Sequence, residues 1–84
     1  MDPNTTWDTL LYAYATKDFK SAVEHADALI GWLDSGGFPP SLTIGSTTLK
    51  LTCQLDEDWN RALASAACMH ILNRFGKEDE HAAH

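Results

Sequence analysis

Long apolar runs, basic residues, paired cysteines and phosphate-binding glycine loops are all scarce or missing in this 84-residue chain. No stretch approaches the roughly 18 apolar residues that a membrane span requires. Met1-Asp2-Pro3-Asn4 carries neither the basic nor the apolar region of a secretory signal, so a reducing cytoplasmic location is expected. Six bases face twelve acids, for a net charge of −6, and the six are scattered without a basic stripe. A surface of that sign repels phosphate backbones, so neither nucleic acid nor a membrane is an expected partner. Cys53 and Cys68 lack the CxxC spacing of a zinc or redox site and read as free, buried thiols. Gly36-Gly37 runs into Phe38-Pro39-Pro40, so it ends a helix instead of cradling a phosphate.

Catalytic pairings are equally thin. Cys68 and His70 lie two residues apart on an expected helix, which points their side chains about 200° apart. Asp56-Glu57-Asp58 reads as charge placed at a helix start, where the helix dipole favours it. His70 falls on an apolar stripe and reads as a core residue; His81 and His84, at i and i+3, lack companions for a metal site. The sequence therefore assigns no enzymatic activity, no metal and no cofactor.

What is present is the pattern of one small domain over residues 1–84, mainly α, or α+β if a hairpin forms. A first helix is expected over about 5–16, opened by a Thr5–Asp8 capping box, with Trp7, Leu10, Leu11 and Tyr14 on one face. Asp18 caps a second helix over 18–35, whose stripe is Phe19, Ala22, Val23, Ala26, Leu29, Ile30 and Leu33. So short a link folds the two back as an antiparallel hairpin. Between 41 and 55, Leu49, Leu51, Cys53 and Leu55 alternate with polar residues. That pattern suggests strands at about 42–44 and 48–55 around a Gly45-Ser46 turn, or else an extended connector.

The third helix, 56–75, stops at Gly76, and a frayed tail follows over 77–84. The helix is apolar on two sides. Trp59, Leu63, Ala66 and Met69 form one stripe; Ala64, Ala67, Cys68, Ile71, Leu72 and Phe75 form the other. A helix of this kind reads as the central one, and a chain this short has little with which to surround it. The second stripe is thus expected to face another copy of the chain, making a homo-oligomer, most simply a dimer.

Residues 7–30 resemble one tetratricopeptide-type helical hairpin: Trp7, Leu10 and Tyr14 match its first-helix anchors, Asp18-Phe19 its turn, and Ala22 its small second-helix residue. The resemblance implies helical-hairpin packing. It departs at Leu11 and Leu29, where the repeat has small residues, and the chain holds no second copy of the repeat. The segment Trp32-Leu33-Asp34-Ser35-Gly36-Gly37-Phe38-Pro39-Pro40 is similar to one found in short bacterial and phage proteins.

Two readings of function follow. In the first, the chain is a non-enzymatic interaction protein that self-assembles and binds a host or partner protein through His25, Trp32 and Phe38. In the second it is a nucleotide-type small-molecule binder of a mobile element, with Trp32, Trp59 and Arg61 around a pocket between subunits.

Overall fold

A computed structural model describes residues 1–76. The described residues form three helices and a two-stranded antiparallel sheet: α1 Pro3–Ala15, α2 Phe19–Asp34, β1 Thr43–Ser46, β2 Leu51–Gln54 and α3 Glu57–Phe75. The tail that holds His81 and His84 lies outside the described residues.

Each helix starts on an aspartate. Asp2, not Thr5, caps α1: its carboxylate accepts from the amides of Asn4 and Thr5 and from the Thr5 hydroxyl at 2.9 Å. Pro3 sits at the first helical position, where its fixed φ suits the helix and its missing N–H costs nothing. That proline moves the start upstream of the expected Thr5–Asp8 box. The Thr5 hydroxyl and amide hold the Asp2 carboxyl below the usual 3.8. A lowered carboxylate pKa means that this cap is intact at neutral pH and is lost as pH falls through that lowered value. Asp18 and Asp56 cap α2 and α3 in the same way.

The ends of α1 and α2 share one geometry built from different residues. The Lys17 amide donates to Tyr14 and the Asp18 amide to Ala13 at 2.8 Å, with Lys17 in the left-handed region at φ 62°. The Gly36 amide donates to Leu33 and the Gly37 amide to Trp32, with Gly36 at φ 93°. Both are Schellman closures, and only the second has the glycine that the conformation favours. Gly76 differs, closing α3 with right-handed backbone at φ −65°.

The central helix is α2, not α3. Ala22, Ala26, Leu29 and Leu33 are buried along it, packed with Leu10 and Ala13 of α1 and with Ala64, Cys68 and Ile71 of α3. So many small side chains allow the helix backbones to approach closely. The stripe Ala64, Ala67, Cys68, Ile71, Leu72 and Phe75, expected at a subunit contact, is taken up within the chain: Ala64, Cys68 and Ile71 are buried and the others half-buried. The opposite stripe is the exposed one, with Trp59 58% and Met69 55% accessible. At one end of the bundle Phe19 and Phe75 stack at 4.0 Å between centroids, and Tyr14 meets both edge-on.

Two polar side chains, through three hydrogen bonds, tie the connector to the other end. Asn4 Oδ1 accepts from the Ser41 amide at 2.7 Å. Asn60, buried, accepts from the Leu42 amide and donates to the Leu55 carbonyl, both at 3.2 Å. Pro39 and Pro40 are buried beneath this join. Beyond it the hairpin projects from the helices, with all eight strand residues exposed. Its turn is Thr47–Lys50, not Gly45-Ser46, because Ser46 pairs with Leu51 and Lys50 supplies the left-handed residue at φ 54°.

Two stability measurements check this description. Lys17→Gly should stabilise the chain by about 0.5–1 kcal/mol in denaturant titration, since the strain at Lys17 exceeds the added entropy of glycine. Asn60→Ala should cost about 1–3 kcal/mol, because it leaves a buried amide and a carbonyl at the hairpin base without partners.

Candidate interaction surface

Because α1 and α3 both lean on α2, an open groove lies between them. Trp7, Leu11 and Tyr14 project into it from α1, and Leu63, Ala67 and His70 from α3. Both sets follow the i, i+4, i+7 spacing of one helix face. Leu10 and Ile71 lie at its base. The groove has two hollows, of about 490 and 170 Å³, which share Leu11 and Ala67. The larger is bordered by the hairpin base, with Leu42, Ile44 and Leu55 lining it alongside Trp7 and Leu63. Polar groups sit only at its margins: Asp8, Ser41 and Thr43 beside the hairpin and His70 at the far end.

The hairpin extends this surface. Its register pairs Thr43 with Gln54, Ile44 with Cys53, Gly45 with Thr52 and Ser46 with Leu51. Directly paired residues share a face, and faces alternate along a strand. One side is therefore polar, with Thr43, Gln54, Gly45 and Thr52. The other continues outward from Leu42 and Leu55 through Ile44 and Cys53 to Leu51. Ile44 and Leu51 are 50% and 62% exposed. The expected strand alternation is present, but no other part of the described chain covers its apolar side.

The residues singled out in the sequence are distributed differently. Trp32 is half-buried and folds onto the turn that follows α2. Its indole N–H donates to the Phe38 carbonyl at 2.8 Å, and the two rings meet edge-on at 5.7 Å. Its ring lies so close to Gly37 that a Cβ there would overlap it. Phe38 remains exposed. His25 is half-buried and donates through Nδ1 to the Ser21 carbonyl one turn earlier, at 2.8 Å.

Arg61 reaches back to α2, donating to the Leu33 carbonyl at 3.1 Å, with Glu57 at 3.9 Å. Trp59 lies apart with Asp58 and Ala62. The alternative pocket of Trp32, Trp59 and Arg61 is thus not assembled within the chain: Trp32 and Arg61 already serve backbone carbonyls near the end of α2. His70 is exposed at the groove and not in the core. Cys53 is an exposed thiol, against expectation; Cys68 is buried, and burial pushes its thiol up to about 11. Among the described residues no cluster of three or more His, Cys, Asp or Glu side chains is placed to hold a metal ion.

Protein-family models, curated proteins and solved structures all yield no match to this chain. What the surface can do therefore rests on its own chemistry, and that chemistry is the removal of apolar area from water. Trp7, Leu11, Tyr14, Leu42, Ile44 and Leu63 carry it, and none of them was marked as a site by pattern alone. Pattern gave no such signal for α1: Trp7, Leu10, Leu11 and Tyr14 read as one core-facing stripe, yet of the four only Leu10 is buried.

Ala67→Arg probes the groove directly, because Ala67 lies where the two hollows meet. The substitution should change unfolding free energy by less than about 1 kcal/mol. It should also lower the fluorescence of the apolar dye ANS bound to the native chain by roughly half or more. An unchanged dye signal would place the accessible apolar surface elsewhere.

Proposed function

We propose that this chain is a non-enzymatic interaction module that self-assembles and takes a further macromolecule on the surface formed by the α1–α3 groove and the apolar side of the hairpin. The observation that carries this reading is the hairpin itself. Isolated two-stranded hairpins are marginal in water. This one exposes Ile44, Leu49 and Leu51 together, with a 68% accessible Leu49 at its turn. Large side chains left this open expose on the order of 100 Å² each. With Leu11 and Tyr14 spaced along the groove they add up to roughly the apolar area that one partner contributes to a standard interface of about 800 Å² per side. A patch of that size on so small a protein marks an association site.

The charge describes the further macromolecule. Asp8 lines the groove, and the chain carries −6 overall. The fitting partner is a protein segment with an apolar stripe flanked by bases, while nucleic acid is repelled.

Sedimentation or light scattering over about 5–200 µM tests self-assembly, since subunit association is concentration-dependent. The expected result is a rise from 9.3 kDa toward twice that mass. A constant 9.3 kDa across the range would overturn the self-assembling module.

A further inference from the structure

Self-assembly, as read above, leaves open which parts of two copies meet. The hairpin's hydrogen-bonding pattern narrows the choice. The Leu55 amide donates to the Leu42 carbonyl, so Leu42 and Leu55 form a hydrogen-bonded pair. In an antiparallel ladder such pairs alternate with open ones. Ile44–Cys53 and Ser46–Leu51 are therefore also bonded within the hairpin, and Thr43–Gln54 and Gly45–Thr52 are open. The open pairs turn their N–H and C=O groups outward. The free edge of β1 is offered by Thr43 and Gly45, and that of β2 by Thr52 and Gln54.

The two edges are unequal. β1 carries Gly45, a poor strand residue, and its Thr43 shares the groove with the Asp8 carboxylate of α1. β2 reads Leu51-Thr52-Cys53-Gln54, uncharged and without glycine or proline. An uncovered strand edge of this composition is a template for pairing with another strand.

Charge selects the same place. Residues 35–55 contain no acid and one base, Lys50, whereas residues 1–34 and 56–84 carry six acids each. Two copies of a chain with net charge −6 meet with least repulsion through that acid-free segment.

We propose that two copies pair β2 to β2, antiparallel, about a two-fold axis at Cys53, and so build a four-stranded sheet. This register lets Thr52 of each copy exchange hydrogen bonds with Gln54 of the other. It sets Cys53 opposite its own counterpart as an open pair, with Cα atoms about 4.5 Å apart. The apolar sides of the two hairpins then merge into one face, Leu51 of each copy lying across from Leu55 of the other. Four strands with one apolar face also satisfy the stability requirement that two strands alone do not meet. The contact is isologous and closes, so it yields a dimer and no fibre.

The experiment has two arms on the full chain. In the first, native protein is treated with diamide, which takes two electrons and two protons from a pair of thiols. Most of the chain should become a disulfide-linked dimer, because a separation of about 4.5 Å falls within the range that a disulfide bridges. Cys53→Ser should abolish the link while leaving the light-scattering mass unchanged. Buried Cys68, with its thiol pushed up to about 11, does not compete.

In the second arm, proline is placed at each free edge, where it removes an outward N–H and spares the hairpin's own bonds. Thr52→Pro should weaken dimerisation by about tenfold or more, and Thr43→Pro should leave it intact. Circular dichroism confirms that each variant is folded, and should Thr52→Pro unfold, the wild-type cross-link decides. A dimer that forms no Cys53 link, or that persists in folded Thr52→Pro, overturns this pairing and leaves self-assembly standing. Loss of the dimer in folded Thr43→Pro would move the contact to β1, also against the proposal. A chain that stays monomeric throughout overturns both readings.

Discussion

The close packing of α2 against its two neighbours governs the rest of the architecture. Ala22, Ala26, Ala64 and Cys68 have no exposed surface at all. Side chains this small fill space only if the helix axes come close, so the seam fixes where α3 lies and which of its stripes turns inward. With α1 and α3 both committed to α2, they do not cover each other, and the groove between them follows from that geometry. A fourth helix would close it, but the described residues supply instead a hairpin that reaches only one end. The exposed apolar surface is thus a result of having three helices, one of them central.

Polar groups then decide how the hairpin is carried. Its strands contribute no buried residue, so packing does not hold it in place. Asn60 does much of that work, bonded to one backbone group on each side of the hairpin base. A buried amide with both ends satisfied is directional in a way that apolar contact is not. It sets the angle at which the hairpin leaves the bundle, and with it the continuity between the hairpin's apolar side and the groove.

Much of the fold was legible because it depends on local rules. The three helices, the Asp18 cap, the acidic start of α3, the Gly36 closure and the α2 stripe follow from spacing and from capping chemistry. The two-period alternation through Leu51 and Cys53 gave the strand. What pattern leaves undetermined is occupancy. Both α2 and α3 are apolar enough to be central, and their spacing does not say which stripe of α3 meets α2. The turn was misplaced because Gly45 is the obvious turn residue, yet a lysine at 50 takes the left-handed position. The candidate site was the hardest to read. Trp32 and Arg61 are residue types suited to a ligand, but each meets a backbone carbonyl that no sequence spacing reveals. Leu11 and Leu63 look like ordinary core residues until the gap between their helices is seen.

The aromatic contact at the far end of the bundle has a bearing on how the chain forms during synthesis. Phe75 closes on Tyr14 and Phe19, which flank the turn between α1 and α2, so the last turn of α3 seals the junction of the first two helices. Residues 64–71, which complete the α2 seam, also emerge late from the ribosome. The α1–α2 pair is therefore made before the helix that completes the core, and the apolar stripe of α2 has no cover on that side until residues 64–71 arrive. A chain stopped short of residue 64 would keep that stripe exposed, the kind of surface that drives misassembly of incomplete chains.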